Sequence, residues 1–325
     1  MSTRPFAASG ASPASLERKA FADDVAYYLR LDPKQLPSRY FYDPLGSALF
    51  EAICHLPWYS ITRAEQRLLA AHGPEILQCV SSLSTIVELG PGSGEKVSLL
   101  LRAGRSMASL TVHLVDVSSA ALDLATRTLN AYDVKVERHQ ASYEAGLESL
   151  SGRRGGRTLV LFLGSNIGNF DPPGADEFLR TIRRALQPDD ALLIGADLLK
   201  AERDLLLAYD DPLGVTAAFN RNLLVRVNRE LEADFDIDAF EHRAIWNSVE
   251  SRVEMHLVST RAQRVRIAAS QLDLTLEDGE TIWTESSYKY RADQIVAMLG
   301  RSGFKQIQQW VDAPGAFALT LVAAA

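Results

Sequence analysis

The sequence predicts an α/β fold built on a doubly wound, mainly parallel sheet, and three observations carry that prediction. Between Ser84 and Leu198 five apolar runs, "STIVEL", "LTVHLVDV", "VKVERH", "TLVLFLG" and "ALLIGADL", alternate with stretches of helical periodicity. Near-continuous Val/Leu/Ile runs are the mark of strands buried on both faces. A glycine-rich turn, "ELGPGSGEK" at 88–96, follows the first run, and the chain closes with "KQIQQWV-DAPG-AFALTLVAA", which reads as a hairpin.

The flanking elements follow in order. Leu16 to Leu31 is amphipathic and helical, and "LDPKQLPSRYFYDPLGS" then reads as a proline-rich loop. A short helix is expected from Ala48 to His55 and a long one from Thr62 to Val80, opened by a capping box, "TRAE", between Thr62 and Glu65. Crossover helices are expected after "GSGEK", after "DVSS" and at "ADEFLRTIRRALQ". The alternation stops at Leu198. Residues 198–285 carry helical text and then strands of alternating type, "VEMHLVST", "QRVRIAA" and "LDLTLEDG", which predict an α+β insertion with an antiparallel sheet. Two domains are therefore expected: 1–60 with 198–285 as a substrate-binding domain, and 61–197 with 286–325 as the core. Residues 1–15 are expected to be a disordered tail.

Composition narrows the function. The 325 residues are 47% apolar, enough for a core that needs no staples, and the formal net charge is −7. Basic residues are scattered, and the short cluster "GRRGGR" at 152–157 reads as a solvated loop, so nucleic acid is excluded as a partner. No apolar run is long enough to span a bilayer. Cys54 and Cys79 have no CxxC partner or histidine at ligand spacing, so neither a disulfide framework nor a metal site is expected. A monomer in a reducing, cytoplasmic setting fits best.

Three ligands could explain the glycines. A P-loop requires Gly-Lys-Ser/Thr at a spacing that Gly90, Lys96 and Val97 do not match. A dinucleotide fingerprint requires a third glycine where Glu95 stands, which weakens a nicotinamide cofactor and leaves it as a third alternative. The remaining candidate is S-adenosylmethionine (SAM), whose sites show an acid at the strand end before G-x-G-x-G and a second acid at the next strand end. Glu88, Gly90 and Gly92 supply the first, and Asp116 in "VHLVDV" supplies the second, a carboxylate able to accept from both ribose hydroxyls. Parallel strands, this motif and a closing hairpin together predict a class I SAM-dependent methyltransferase core. "DPP" at 171–173 resembles the motif of nucleic-acid amino-methyltransferases but lacks its aromatic residue, Gly174 following instead.

The chain also resembles a specific family, the histidine-specific SAM-dependent methyltransferases of ergothioneine biosynthesis. The likeness runs from Leu29 to Leu321 and rests on "RYFYDPLGSALFEAI", "LPWYSITRAE", "VELGPGSGEK", "FLGSNIGN", "AYDDPLGVTAAFNRN", "NRELEADFDIDAFEH", "VEMHL" and "TESSYKY". It implies trimethylation of the α-amino group of L-histidine to histidine betaine (hercynine). It further implies that Tyr42, Gly90, Lys96 and Asp116 hold the cofactor. Asn169 and Tyr209, with Gly164 nearby, would hold the α-carboxylate and orient the amine, so that Asn169, Tyr209 and Tyr42 form the catalytic set. Tyr59, Glu285 and Ser287 would face the imidazole and Met255 would pack against it. Where the family has Asp-Phe beside the adenine, this chain has Ser142 and Tyr143.

The residue types make chemical sense. Imidazole offers one donor and one acceptor, and Glu285 and Ser287, two apart on a strand, present a carboxylate and a hydroxyl on one face. Methyl transfer from a sulfonium is an in-line displacement that depends on alignment, so no dedicated general base is expected. The alternatives are an N-methyltransferase of another amine, such as tryptophan or a modified histidine, and a SAM-binding regulatory module without turnover.

Overall fold

The computed structural model describes residues 13–104, 109–150 and 156–325. Most of the expected tail and residues 152–155 of the basic cluster lie outside them. The chain opens with α1 (Pro13–Tyr28), β1 (Lys34–Gln35), α2 (Pro44–Cys54) and α3 (Ser60–Cys79). Strand and helix then alternate through β2 (Leu83–Leu89), α4 (Glu95–Ala103), β3 (Thr111–Asp116), α5 (Ser119–Leu129) and β4 (Lys135–Gln140). The alternation continues with α6 (Tyr143–Leu150), β5 (Arg157–Phe162), α7 (Pro172–Ala185) and β6 (Ala191–Asp197). After α8 (Glu202–Tyr209) and α9 (Val215–Leu231) come β7 (Phe240–Asn247), β8 (Arg252–Ser259), β9 (Gln263–Ile267), β10 (Leu272–Leu276) and β11 (Thr281–Tyr288). The chain ends with α10 (Ala292–Arg301), β12 (Phe304–Asp312) and β13 (Phe317–Ala324).

The residues divide into two compact units. The larger holds 42–216, 244–255 and 286–325, and the smaller holds 1–41, 217–243 and 256–285. Residues 42–60, 198–216 and 244–255 thus group with the larger unit, where the sequence-based division placed them in the substrate-binding domain. For 42–60 the reason is local: α2 packs on α3, and α3 packs on β12 and β13 of the main sheet.

That sheet has seven strands in the order β12-β13-β6-β5-β2-β3-β4. The five alternating strands are parallel, and β13 runs antiparallel to both β6 and β12. This is the class I methyltransferase arrangement, and it places the turns after β2, β3, β5 and β6 along one carboxyl edge. Every residue of β6 is buried, as a strand covered on both faces requires. Phe178, Leu179 and Ile182 of α7 and Ile295 and Leu299 of α10 pack with Val87, Val160 and Ile194 in one core cluster. Each such side chain contributes about 1.5–3 kcal/mol of burial.

In the smaller unit the buried Asn220 of α9 is hydrogen-bonded through both atoms of its amide. Asn220 donates to the carbonyl of His256 (3.1 Å) and accepts from Thr284 Oγ1 (2.7 Å). β9 and β10 form the antiparallel hairpin that the alternating text predicts. The four-stranded sheet, β1-β11-β8-β7, is partly parallel, since β1 joins β11 in that sense.

Two helix starts differ from expectation. α2 begins at Pro44, because Asp43 caps it by accepting from Gly46 N–H (2.7 Å) and Pro44 occupies the first turn. α3 begins at Ser60 without a side-chain cap, so the capping box is not formed, and Glu65 is fully buried instead. Asp171 caps α7 from Gly174 N–H (2.9 Å), which accounts for "DPP" as a helix start.

Candidate active site

The glycine turn leaves β2 with Gly90 and Gly92 in the left-handed region, at φ +74° and +54°. A Cβ on Gly90 would lie 2.7 Å from the Tyr143 hydroxyl, so only glycine fits there. Two residues before Gly90, Glu88 is fully buried and both carboxylate oxygens lack a hydrogen-bond partner. Desolvation pushes its carboxyl up to about 8, with Lys96 pulling the other way and Glu65 and Asp116 adding to the rise. A buried acceptor pair beside a glycine cradle is what the amine and hydroxyl donors of a SAM-like ligand would satisfy. The residues present therefore fit the cofactor.

Lys96 opens from α4, where Nζ lies 2.8 Å from Glu65 Oε2. Burial would lower its ammonium, but Glu65 holds it above its ordinary value. The same Glu65 carboxylate accepts from the Gly164 N–H at 2.8 and 3.0 Å. Gly164 also sits so near Lys96 that a Cβ there would lie 2.8 Å from Nζ. Asp116 ends β3, and its Oδ1 accepts from Ser118 N–H (2.8 Å). Burial raises this carboxyl against that hydrogen bond. Tyr143 packs on Phe162 and Phe178, and burial pushes its phenol up. Ser142 is exposed, and its oxygen accepts from Ala145 N–H (3.3 Å) at the start of α6.

A second cluster gathers at the ends of β6, α8 and β11. The buried Tyr209 hydroxyl donates to Ser287 Oγ (2.7 Å). Beneath them, the wholly buried Lys289 donates to Tyr209 Oη (2.8 Å) and Ser287 Oγ (2.9 Å) and pairs with Asp197 Oδ2 (3.0 Å). Burial lowers the Lys289 ammonium and the surrounding oxygens more than reverse that. The other Asp197 oxygen takes Lys200 at 2.6 Å. One carboxylate with two ammonium groups leaves a net positive charge in the cluster.

Aromatic rings line up with it. Tyr42 meets Phe50 edge-on (5.7 Å), Phe50 meets Tyr59 (6.3 Å) and Tyr59 meets Tyr209 (6.4 Å). Tyr59 is buried, which pushes its phenol well up. Of the remaining sequence-predicted residues, Met255 is buried on β8 and Asn169 is exposed at the end of the 3₁₀ turn Asn166–Asn169. Glu285 is half-buried on β11 and is the last residue of the smaller unit's share of that strand.

The chain matches the family described as histidine-specific, SAM-dependent methyltransferases over residues 21–324. It belongs to this family. Among relatives, a histidine N-alpha-methyltransferase of Mycolicibacterium smegmatis is 43% identical, the match covering 94% of this chain and 98% of the relative. One of the same name from Mycobacterium tuberculosis is 43% identical, over 94% and 95% of the two chains. A 4-dimethylallyltryptophan N-methyltransferase of Penicillium roqueforti is 26% identical, over 90% of each. Among solved structures, a Burkholderia thailandensis 1,6-didemethyltoxoflavin-N1-methyltransferase superposes with a TM-score of 0.45 at 10% identity, covering 98% of this chain and 93% of that one.

For this family member, four residues central to the geometry were not singled out from sequence: Glu65, Asp197, Lys289 and Phe50. Asp197 does carry a weak signal, a charge at the end of the apolar strand β6.

Proposed function

We propose that this chain trimethylates the α-amino group of L-histidine, giving histidine betaine. The observation that carries the reading is the Tyr209–Ser287–Lys289–Asp197 cluster, set on the same sheet edge as the glycine cradle in a histidine-specific methyltransferase. SAM supplies an electrophilic methyl group on a sulfonium.

The hydrogen-bond count supports the following roles. Lysine has three donors and no acceptor, and Lys289 spends them on Tyr209, Ser287 and Asp197. Ser287 Oγ accepts from both Tyr209 and Lys289, so its hydroxyl is left as a donor only. That donor suits the unprotonated imidazole nitrogen, while Glu285, two residues away, takes the ring N–H. Tyr209 Oη, which donates to Ser287 and accepts from Lys289, is the hydroxyl assigned to orient the substrate amine. The net positive charge around Asp197, with Asn169, suits the substrate carboxylate.

Tyr42, Gly90, Lys96, Asp116, Ser142 and Tyr143 are assigned to the cofactor, with Glu88 accepting at the strand end. No residue is needed as a general base; deprotonation of the amine is favoured by desolvation and by the adjacent positive sulfonium. The tyrosine faces of Tyr42, Tyr59 and Tyr209 suit the quaternary ammonium product.

The test is mass spectrometry of the purified chain with SAM and an equimolar panel of the twenty amino acids. A histidine product heavier by three methyl groups is expected. Methylation of another amino acid would leave the fold and cofactor standing and overturn the imidazole contacts.

A further inference from the structure

We propose that His113, Glu137 and His139 form a binding site for a divalent transition metal of the zinc class. The site lies within the larger unit and is independent of the histidine reading.

The three residues come from adjacent parallel strands. Register pairs His113 on β3 with Glu137 on β4, and Glu137 and His139, two apart on β4, share a face. One ligand atom from each converges within 4.8 Å. His113 Nδ1 is the shared centre, 3.0 Å from His139 Nε2 and 3.3 Å from Glu137 Oε2.

Ordinary hydrogen bonding serves this arrangement poorly. A neutral imidazole nitrogen either carries a proton or accepts one, so Nδ1 of the buried His113 can serve only one of these close neighbours well. A cation at the centre serves all three. Metal–ligand bonds of about 2.1 Å would span the 3.0 Å contact at roughly 90° and the 3.3 Å contact at roughly 105°, within the range of zinc-type coordination. Two imidazoles and one carboxylate are a donor set for zinc and its first-row neighbours rather than for magnesium or calcium. Lys135 holds Glu137 Oε1 at 2.7 Å, and Oε2 is the oxygen that faces His113 Nδ1. His113 also lines a cavity of about 240 Å³ together with Thr85, Thr111 and Leu147. The expectation of no metal rested on cysteine spacing. Histidines 26 residues apart form no motif and meet only through strand register.

The consequence is mechanical. β4 is the edge strand and pairs only with β3. The metal ties the two strands three residues before Asp116 and three before Ser142, pinning the edge assigned to the cofactor.

The experiment takes the full chain, stripped with chelator, and titrates it with zinc and separately with cobalt(II). About one metal per chain is expected, with visible ligand-field bands for cobalt and a rise in melting temperature on zinc binding. Glu137→Gln and His139→Gln should each weaken zinc by roughly tenfold or more, with unchanged circular dichroism. His139 is half-buried on an edge strand, so its variant should fold. Absence of stoichiometric zinc in the parent chain, or the same affinity in both variants, would overturn the site and leave a hydrogen-bonded His–His–Glu cluster.

Discussion

Glu88→Gln should make the cofactor-free chain more stable at alkaline pH, although it alters the residue before the glycine turn. The folded carboxyl titrates near 8 against an ordinary 4.5, because desolvation is uncompensated. The folded chain therefore holds this proton more tightly than the unfolded chain does. Its stabilising effect is full below pH 4.5 and is lost as pH rises toward 8. A shift from 4.5 to about 8 sets a ceiling of about 5 kcal/mol. Relaxation and water entry reduce that to about half, so about 2–3 kcal/mol is the working figure. The glutamine carries no charge, so its stability should not fall over that window. At 2–4 °C per kcal/mol or somewhat less for a chain this long, the variant should melt several degrees above the parent at pH 8.5. At pH 5 the two should nearly coincide. Calorimetric unfolding of both chains without cofactor, at each pH, provides the measurement. SAM titration should show weaker binding to the variant, since an acceptor has become partly a donor. A variant destabilised equally at both pH values would refute the reasoning, because Glu88 would then have compensation in the fold.

Three further outcomes follow from the same geometry. Lys289→Met leaves Asp197 with Lys200 alone and removes the ammonium donor from the Tyr209 and Ser287 hydroxyls, so stability should fall by about 3 kcal/mol. Histidine affinity should drop by tenfold or more while SAM affinity changes little; equal loss of both in calorimetry would make Lys289 purely structural. Glu285→Ala should weaken histidine by roughly 10- to 150-fold through loss of a charged hydrogen bond and spare SAM. Gly90→Ala should cost about 1–2 kcal/mol of backbone strain in the left-handed region, and the clash with Tyr143 adds to it. Combining it with Tyr143→Phe should recover part of the loss in melting temperature, the phenylalanine lacking the atom that a Cβ would strike.

The inner parallel strands were legible because burial on both faces makes them read as apolar runs, as β6 does with "ALLIGAD", whereas β4 at the edge, "KVERHQ", is charged and at best half-buried. β7, "FEHRAIWN", was passed over because it alternates and carries charge on its exposed face. The early start of α2 was hidden by Asp-Pro, which reads as a turn but is equally a helix cap followed by a first-turn proline. In the site, the glycines and Asp116 announce themselves by position at strand ends. Glu65 did not, since three-residue spacing from Thr62 suggested a cap, and only the packing of α3 turns it toward Lys96 and Gly164. The Asp197–Lys200–Tyr209–Ser287–Lys289 cluster draws on three elements and the loop between them, and no local pattern encodes it.

That cluster also bears on why imidazole should be preferred to indole, the ring of a tryptophan-type substrate. Indole has one N–H and no ring acceptor. Glu285 could still take its N–H, but the Ser287 hydroxyl, both of whose lone pairs are occupied by Tyr209 and Lys289, would face carbon. A buried donor left unsatisfied costs about 1–3 kcal/mol, or roughly 5- to 150-fold in favour of histidine. Ser287→Ala removes that penalty. It should lower kcat/KM for histidine and leave tryptophan unchanged or improved, so the ratio between them narrows by up to that factor. Competition between the two amino acids in one reaction reads the ratio directly. A ratio unmoved by the substitution would show that ring size, and not the donor on Ser287, selects the substrate.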